Sequence, residues 1–276
     1  IAGGDEGDLL DPAAHFFNRM FAWDPEQGLG AVNWHLGLLF PYLVIFQIAK
    51  MLHLSVLTAQ KAWFVFFTML PGLAMYKLVS VLAKEGKNEK ARFFAAVFYM
   101  FNPHLFFITP QPAGRLIYAV TPLLLAFWIQ GLNASSRQEQ VRYAMFFSLV
   151  SLLGATGNIN QPLLGILWIV LLVYLVFHLV MNTRNSKQAR NCLKFSLKAI
   201  GGYAAVNLWW LVPFFIFILD VNQAPEFHKM IRKSVLQGES QPLLDNIWMT
   251  GYWPFHASKQ DGGYYSFAPY YFHPIF

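Results

Sequence analysis

Between residues 62 and 219 six apolar runs, at about 62–83, 93–109, 115–132, 143–157, 162–181 and 195–219, are separated by short polar joints of unequal charge. A helix needs roughly 20 mostly apolar residues to cross the hydrocarbon of a bilayer, and it satisfies its backbone groups within its own segment. The runs are therefore read as membrane-crossing helices, of which 93–109 and 143–157 are short. The joint at 84–92 holds Lys84, Lys87, Lys90 and Arg92, that at 133–142 holds Arg137 and Arg142, and that at 182–194 holds Arg184, Lys187, Arg190 and Lys194. The intervening joints, 110–114 and 157–161, carry no Lys or Arg. Strict alternation is what an in–out serpentine requires when basic loops stay in the cytoplasm. It assigns residues 1–61, 110–114, 157–161 and 220–276 to the extracytoplasmic side of the plasma membrane.

Composition agrees. The chain is 56% hydrophobic, 17% aromatic and 12% charged, about half the charge a soluble domain carries. Its 27 Phe and 9 Trp suit rings that face lipid and anchor at both interfaces. The net charge of +6 does not indicate nucleic acid, because Lys and Arg sit between apolar runs instead of forming one basic stripe. Cys192 is the only cysteine, so no intrachain disulfide forms. There is no Cys-x-x-Cys, His-Glu-x-x-His, Walker loop or dinucleotide-binding glycine fingerprint.

The fold class that follows is an all-α polytopic membrane protein in three parts. Residues 1–61 form a first extracytoplasmic loop with an acidic motif and juxtamembrane helices, 62–219 form about six transmembrane helices, and 220–276 form an aromatic-rich extracytoplasmic loop. The chain opens at Ile1 without Met and closes at Phe276 in an aromatic run; a membrane helix or signal is expected before it and another helix after it. The apolar stretch 36–54 is nearly long enough to span, but a crossing there would invert every later helix. Pro41, Gln47, Lys50 and His53 interrupt it, and it is expected to lie along the interface.

The densest polar chemistry is GGDEGDLLD at 3–11, with Asp5, Glu6, Asp8 and Asp11. Crowded carboxylates raise one another's pKa, which suits a general base or a divalent cation such as Mg or Mn. A solvated turn, with Asp11 capping a helix that starts at Pro12, is the simpler reading of the same residues. WDPEQGLG at 23–30 marks a turn, and Trp23 is either a sugar-stacking platform or an interfacial anchor. Asn33, Trp34 and His35 follow. On the same side, Pro103 is expected to kink the 93–109 run and leave Asn102 and His104 pointing into a cavity. Arg115 stands where an isolated cation at a helix start would meet a phosphate. Asn158, Asn160 and Gln161 offer hydrogen bonds to a hydroxyl-rich ligand, although Asn and Pro at helix ends are also ordinary capping chemistry.

The motifs GDLLDP, WDPEQGLG, LLFPY, AQKAWF, YMFNPH, TGNINQP, and TGYWPF with YYSFAPYY resemble those of the C-type membrane glycosyltransferases, the GT-C superfamily, and within it the alpha-(1->3)-arabinofuranosyltransferase-like branch. The resemblance covers essentially the whole chain. It implies a GT-C-like transmembrane helix bundle with extracytoplasmic juxtamembrane helices. It also implies transfer of a sugar, with arabinofuranose the branch's own, from a polyprenyl-phosphate donor to a glycan, glycolipid or glycoprotein acceptor on the outer face. In that frame a first-loop carboxylate is the general base: Asp8 matches best, and Asp5 or Glu6 would replace or assist it. Arg115, His104 or Arg19 would stabilise the departing phosphate. Asn102, Asn158, Asn160, Gln161, Trp23 and His35 would line the substrate site. The spacing from Asp8 to Asp11 departs from the branch's pattern. Superfamily members differ in their use of a metal, and Asp5, Glu6 and Asp8 would hold one here. Two rival classes remain, a lipid or glycan flippase with helices broken at prolines 103, 112, 122 and 213, and a non-catalytic envelope scaffold. Against the first, no run contains an acidic residue of the kind ion-coupled carriers need.

Overall fold

The structure, a computed structural model, describes residues 16–17, 20–24, 31–33, 36–83, 88–102, 105, 112–159, 161–182 and 186–221. Its helices are α1 (Tyr42–Met51), α2 (Val56–Leu82), α3 (Glu89–Met100), α4 (Pro112–Leu132), α5 (Arg137–Leu153), α6 (Gln161–Asn182) and α7 (Ser186–Val221). Two 3-10 turns, Leu36–Leu39 and Ala155–Ile159, precede α1 and α6. A two-residue antiparallel ladder pairs β1 (Trp23–Asp24) with β2 (Ala31–Val32). The fold is thus all-α apart from this ladder, and it is polytopic: among the described residues α2, α4, α6 and α7 are long and apolar enough to cross a bilayer. The other two expected crossings fall on shorter helices, α3 with 12 residues and α5 with 17.

Helix ends follow local chemistry. Ser55 caps α2 by accepting a hydrogen bond from the Thr58 amide at 3.1 Å. Ser136 and Glu139 form a reciprocal capping box that starts α5. α1 stops after 10 residues, about 15 Å of helix, about half the roughly 30 Å of hydrocarbon in a bilayer. Tyr42, Leu43 and Phe46 pack it onto Ala59, Trp63 and Phe67 of α2 and Leu116 of α4.

A second, larger core lies among α4, α5, α6 and α7, where the Trp128 ring meets Phe147 and Phe195 at 5.5 and 5.6 Å. Glycines set how closely the backbones approach, as expected where lipid gives no hydrophobic drive between helices. Gly72 lies against Met100, Gly131 against Phe195 and Gly202 against Ser148, each too close to admit a side chain without displacement. The crossing of α5 and α7 also carries polar glue. Asn207 Nδ2 donates to Ser151 Oγ at 2.8 Å, and Trp210 Nε1 donates to Asn207 Oδ1 at 2.8 Å.

The bundle has two chemically different ends. At one, Lys198 Nζ donates to Gln140 Oε1 at 3.0 Å and Cys192 sits against the Leu132 carbonyl, so the basic joints 133–142 and 182–194 are neighbours. At the other, the start of α4 meets the end of α3, the start of α2 and the 3-10 turn that begins the joint without Lys or Arg.

Candidate functional site

The non-basic end is where Arg115, Asn102 and the backbone of Asn158 and Gln161 fall among the described residues. Pro112 begins α4, a position that costs no hydrogen bond because the first helical amides lack partners within the helix. Three residues later Arg115 is 2% exposed, and its guanidinium carbon stands 5.0 Å from the centroid of the Phe64 ring on α2. The ring's negative face favours the cation. The first turn of a helix carries the positive end of the macrodipole, so guanidinium and helix start act together in favour of an anion.

One turn further, Tyr118 connects α4 to the end of α3. Its ring stacks on Tyr99 at 4.1 Å and 8°. Tyr118 Oη donates to the Tyr99 carbonyl at 2.9 Å, and Tyr99 Oη donates to the Tyr118 carbonyl at 3.0 Å. Asn102, 2% exposed, completes the node. Its Nδ2 donates to the Tyr99 carbonyl at 2.8 Å and to Tyr118 Oη, while its Oδ1 accepts from the Leu105 amide at 3.1 Å. The Asn102 amide is therefore spent on the protein, holding the α3 terminus against the turn of α4 next to Arg115. α3 ends at Met100, ahead of the kink expected at Pro103. The residue before a proline disfavours helical backbone.

The turn Ala155–Ile159 is pressed onto the same place. Gly157 meets Ile117 where any side chain would collide, and the fully buried Thr156 donates from Oγ1 to the Phe40 carbonyl at 3.0 Å. That bond ties the 157–161 joint to the segment that follows the first-loop ladder. Asn158 belongs to this turn and Gln161 opens α6; their side chains lie outside the described set.

In the first loop, Asn33 is buried and donates from Nδ2 to the Phe21 carbonyl at 3.0 Å, while its amide donates to the Ala22 carbonyl at 2.9 Å. These bonds extend the β1–β2 ladder, on which Trp23 sits opposite Val32 and is 54% exposed. An exposed indole on a short ladder suits either use foreseen for it, platform or anchor. β2 and the turn Leu36–Leu39 both contact α7, so the loop is docked on the bundle.

Asp5, Glu6, Asp8, Asp11, Arg19, His35, His104 and Asn160 lie outside the described residues. The structure therefore brings Arg115, Asn102 and the backbone of Asn158 and Gln161 to one end of the bundle. Sequence reasoning missed Phe64, Tyr99, Tyr118 and Thr156. A tyrosine inside an apolar run was the available signal, because a buried hydroxyl needs a hydrogen-bond partner.

Residues 7–268 match the family described as Alpha-(1->3)-arabinofuranosyltransferase, N-terminal GT-C domain. No curated protein and no solved structure matches the chain.

Proposed function

Since the chain belongs to the family of alpha-(1->3)-arabinofuranosyltransferase N-terminal GT-C domains, a multi-pass membrane glycosyltransferase family, we propose that it moves a sugar, arabinofuranose in the first instance, from a polyprenyl phosphate to a glycan, glycolipid or glycoprotein hydroxyl on the extracytoplasmic face of the plasma membrane. The acceptor oxygen attacks the anomeric carbon, the bond from that carbon to the phosphate oxygen breaks, and polyprenyl phosphate departs with the negative charge. The acceptor's proton passes to a carboxylate of the first loop, Asp8 foremost, with Asp5 or Glu6 as substitute or assistant. Charge develops on the sugar as an oxocarbenium-like state and on the leaving phosphate, so the site must stabilise an anion as well as accept a proton.

The observation that carries this reading is Arg115. It is a buried guanidinium on the first turn of α4, seated over Phe64, at the end of the bundle where the first loop docks. A cation there is effective because water is partly excluded, and a donor whose polyprenyl tail stays in hydrocarbon would carry its phosphate at this end of the bundle. His104 is the second candidate for the phosphate, and Asn158, Asn160, Gln161, Trp23 and His35 are candidates for the sugar hydroxyls. Asn102 acts through position, by fixing Tyr118 and hence the turn that bears Arg115.

The test is transfer by the full-length protein in lipid nanodiscs from a panel of polyprenyl-phosphate sugars, beside Asp8→Asn and with or without chelator. Transfer that drops by roughly 10²-fold or more in Asp8→Asn locates the base, and loss on chelation shows that a divalent cation is needed, for which Asp5, Glu6 and Asp8 are the proposed ligands. A folded protein with no transfer from any donor would overturn the proposal in favour of a flippase or scaffold.

A further inference from the structure

A groove of about 440 Å³ runs along the outside of α5, and its Arg137 end stands at the opposite end of the bundle from the proposed chemistry. Two ridges of residues four apart border it. One passes through Arg137, Val141, Met145 and Leu149, and the other through Arg142 and Phe146. Parallel ridges at this spacing leave a furrow that normally receives a neighbouring helix, yet these six side chains are all exposed.

The furrow is graded in chemistry. Both arginines stand at the N-terminal end, and everything beyond Arg142 is apolar. Arg142 is held in place, with its guanidinium carbon 5.1 Å from the Tyr143 ring centroid and Nη2 donating to Tyr143 Oη at 3.3 Å. Glu139, the carboxylate of the same helix, accepts from the Ser135 and Ser136 amides at 3.1 and 3.3 Å, so it is committed to the helix start. Phe146 is backed by Phe127 of α4 at 5.3 Å, which stiffens the apolar wall. From Arg137 to Leu149 the furrow is about 18 Å long at the α-helical rise, against about 15 Å for the hydrocarbon of one leaflet.

We propose that this furrow is a binding site for an anionic phospholipid, with the phosphate between Arg137 and Arg142 and one acyl chain along Val141, Met145, Phe146 and Leu149. The cationic end meets the headgroup layer where two arginines are most effective, and the length fits one chain of that leaflet. A polypeptide helix would need carboxylates set at one end of an apolar face to match both parts, whereas an anionic phospholipid carries the phosphate and the chain in that order. None of the residues proposed for glycosyl transfer lies in the furrow, so the test is independent of that activity.

The measurement is native mass spectrometry of the full-length protein from detergent supplied with equal phosphatidylglycerol and phosphatidylcholine. Wild type is expected to retain phosphatidylglycerol on the order of ten-fold over phosphatidylcholine, and Arg137→Gln with Arg142→Gln to bring the two to parity. Met145→Trp, which fills the furrow and leaves the charges, is expected to reduce phosphatidylglycerol retention and carries the test alone if the double variant does not fold. Parity in wild type, a preference that survives the double variant, or retention unchanged in Met145→Trp would each overturn the site.

Discussion

Tyr99 and Tyr118 hold each other by exchanged hydrogen bonds, each hydroxyl donating to the other's backbone carbonyl at 3.0 and 2.9 Å, with the rings stacked 4.1 Å apart. Asn102 donates to both the Tyr99 carbonyl and the Tyr118 hydroxyl. Removing that hydroxyl deletes one donor and one acceptor from a node that also includes a buried amide. Tyr118→Phe is expected to destabilise the protein by about 1 kcal/mol, and Asn102→Ala by about 1–3 kcal/mol because it also leaves the Leu105 amide without its acceptor. The double variant should cost less than the sum, by 0.5 kcal/mol or more on the order expected for touching groups. Urea unfolding in bicelles would measure all three, and strict additivity would show that the node is not a unit.

Arg115 has a chemical prediction separable from its packing. Its guanidinium spreads over the Phe64 ring, which the compact ammonium of Lys covers less well, and it presents a planar fork to phosphate that Lys lacks. Under the proposed function, Arg115→Ala should lower kcat by about 10²-fold or more, the scale for losing one preorganised stabiliser of developing charge, and Arg115→Lys should recover only part. A change confined to thermal stability, with kcat and donor KM as in wild type, would remove Arg115 from the site.

Hydropathy made most of the fold legible and little of the site. The full-length helices α2, α4, α6 and α7 each cover an apolar run visible in the sequence, because a continuous apolar segment in a bilayer has few alternatives to helix. Boundaries were less legible. α7 begins at Ser186, nine positions before its apolar run, since hydropathy marks where lipid begins and says nothing of polar turns that continue the helix. α3 ends at Met100 although apolar residues continue to 109. The place of Arg115 near a helix start could be read from the sequence, while its seat over Phe64 could not. The Tyr99–Tyr118 pair could not, because 19 positions separate its members and only the approach of α3 to α4 makes them neighbours.

Asn207 predicts how the α5–α7 crossing responds to mutation. It is fully buried, donates to Ser151 Oγ at 2.8 Å and the Tyr203 carbonyl at 2.9 Å, and accepts from the Trp210 indole. Interhelical hydrogen bonds in membranes contribute about 0.6–2 kcal/mol, so Asn207→Leu should cost at least that much, plus the loss from orphaning the Trp210 N–H. Gly202→Val should be worse, since its β-carbon would enter Ser148. Tryptophan fluorescence during unfolding reads both; a neutral Gly202→Val would mean that the helices separate without cost.

The turn between α1 and α2 gives a prediction of the opposite sign. His53 has φ 56, the left-handed region where a β-carbon costs about 1–2 kcal/mol. It closes α1 in the manner of a Schellman motif, the His53 amide donating to the Lys50 carbonyl and the Leu54 amide to the Ala49 carbonyl, both at 2.9 Å. The imidazole is exposed, so little contact is lost when it is removed. His53→Gly should therefore stabilise the protein by about 0.5–1 kcal/mol after the greater flexibility of unfolded glycine is subtracted. His53→Val, branched at the β-carbon, should destabilise it. Because α1 packs through Tyr42, Leu43 and Phe46 onto α2 and Leu116, the neighbour of Arg115, the valine variant should also weaken transfer in the nanodisc assay, while the glycine variant leaves it intact. Thermal unfolding in detergent checks the stability signs. A glycine variant less stable than wild type would mean that the imidazole itself holds the turn.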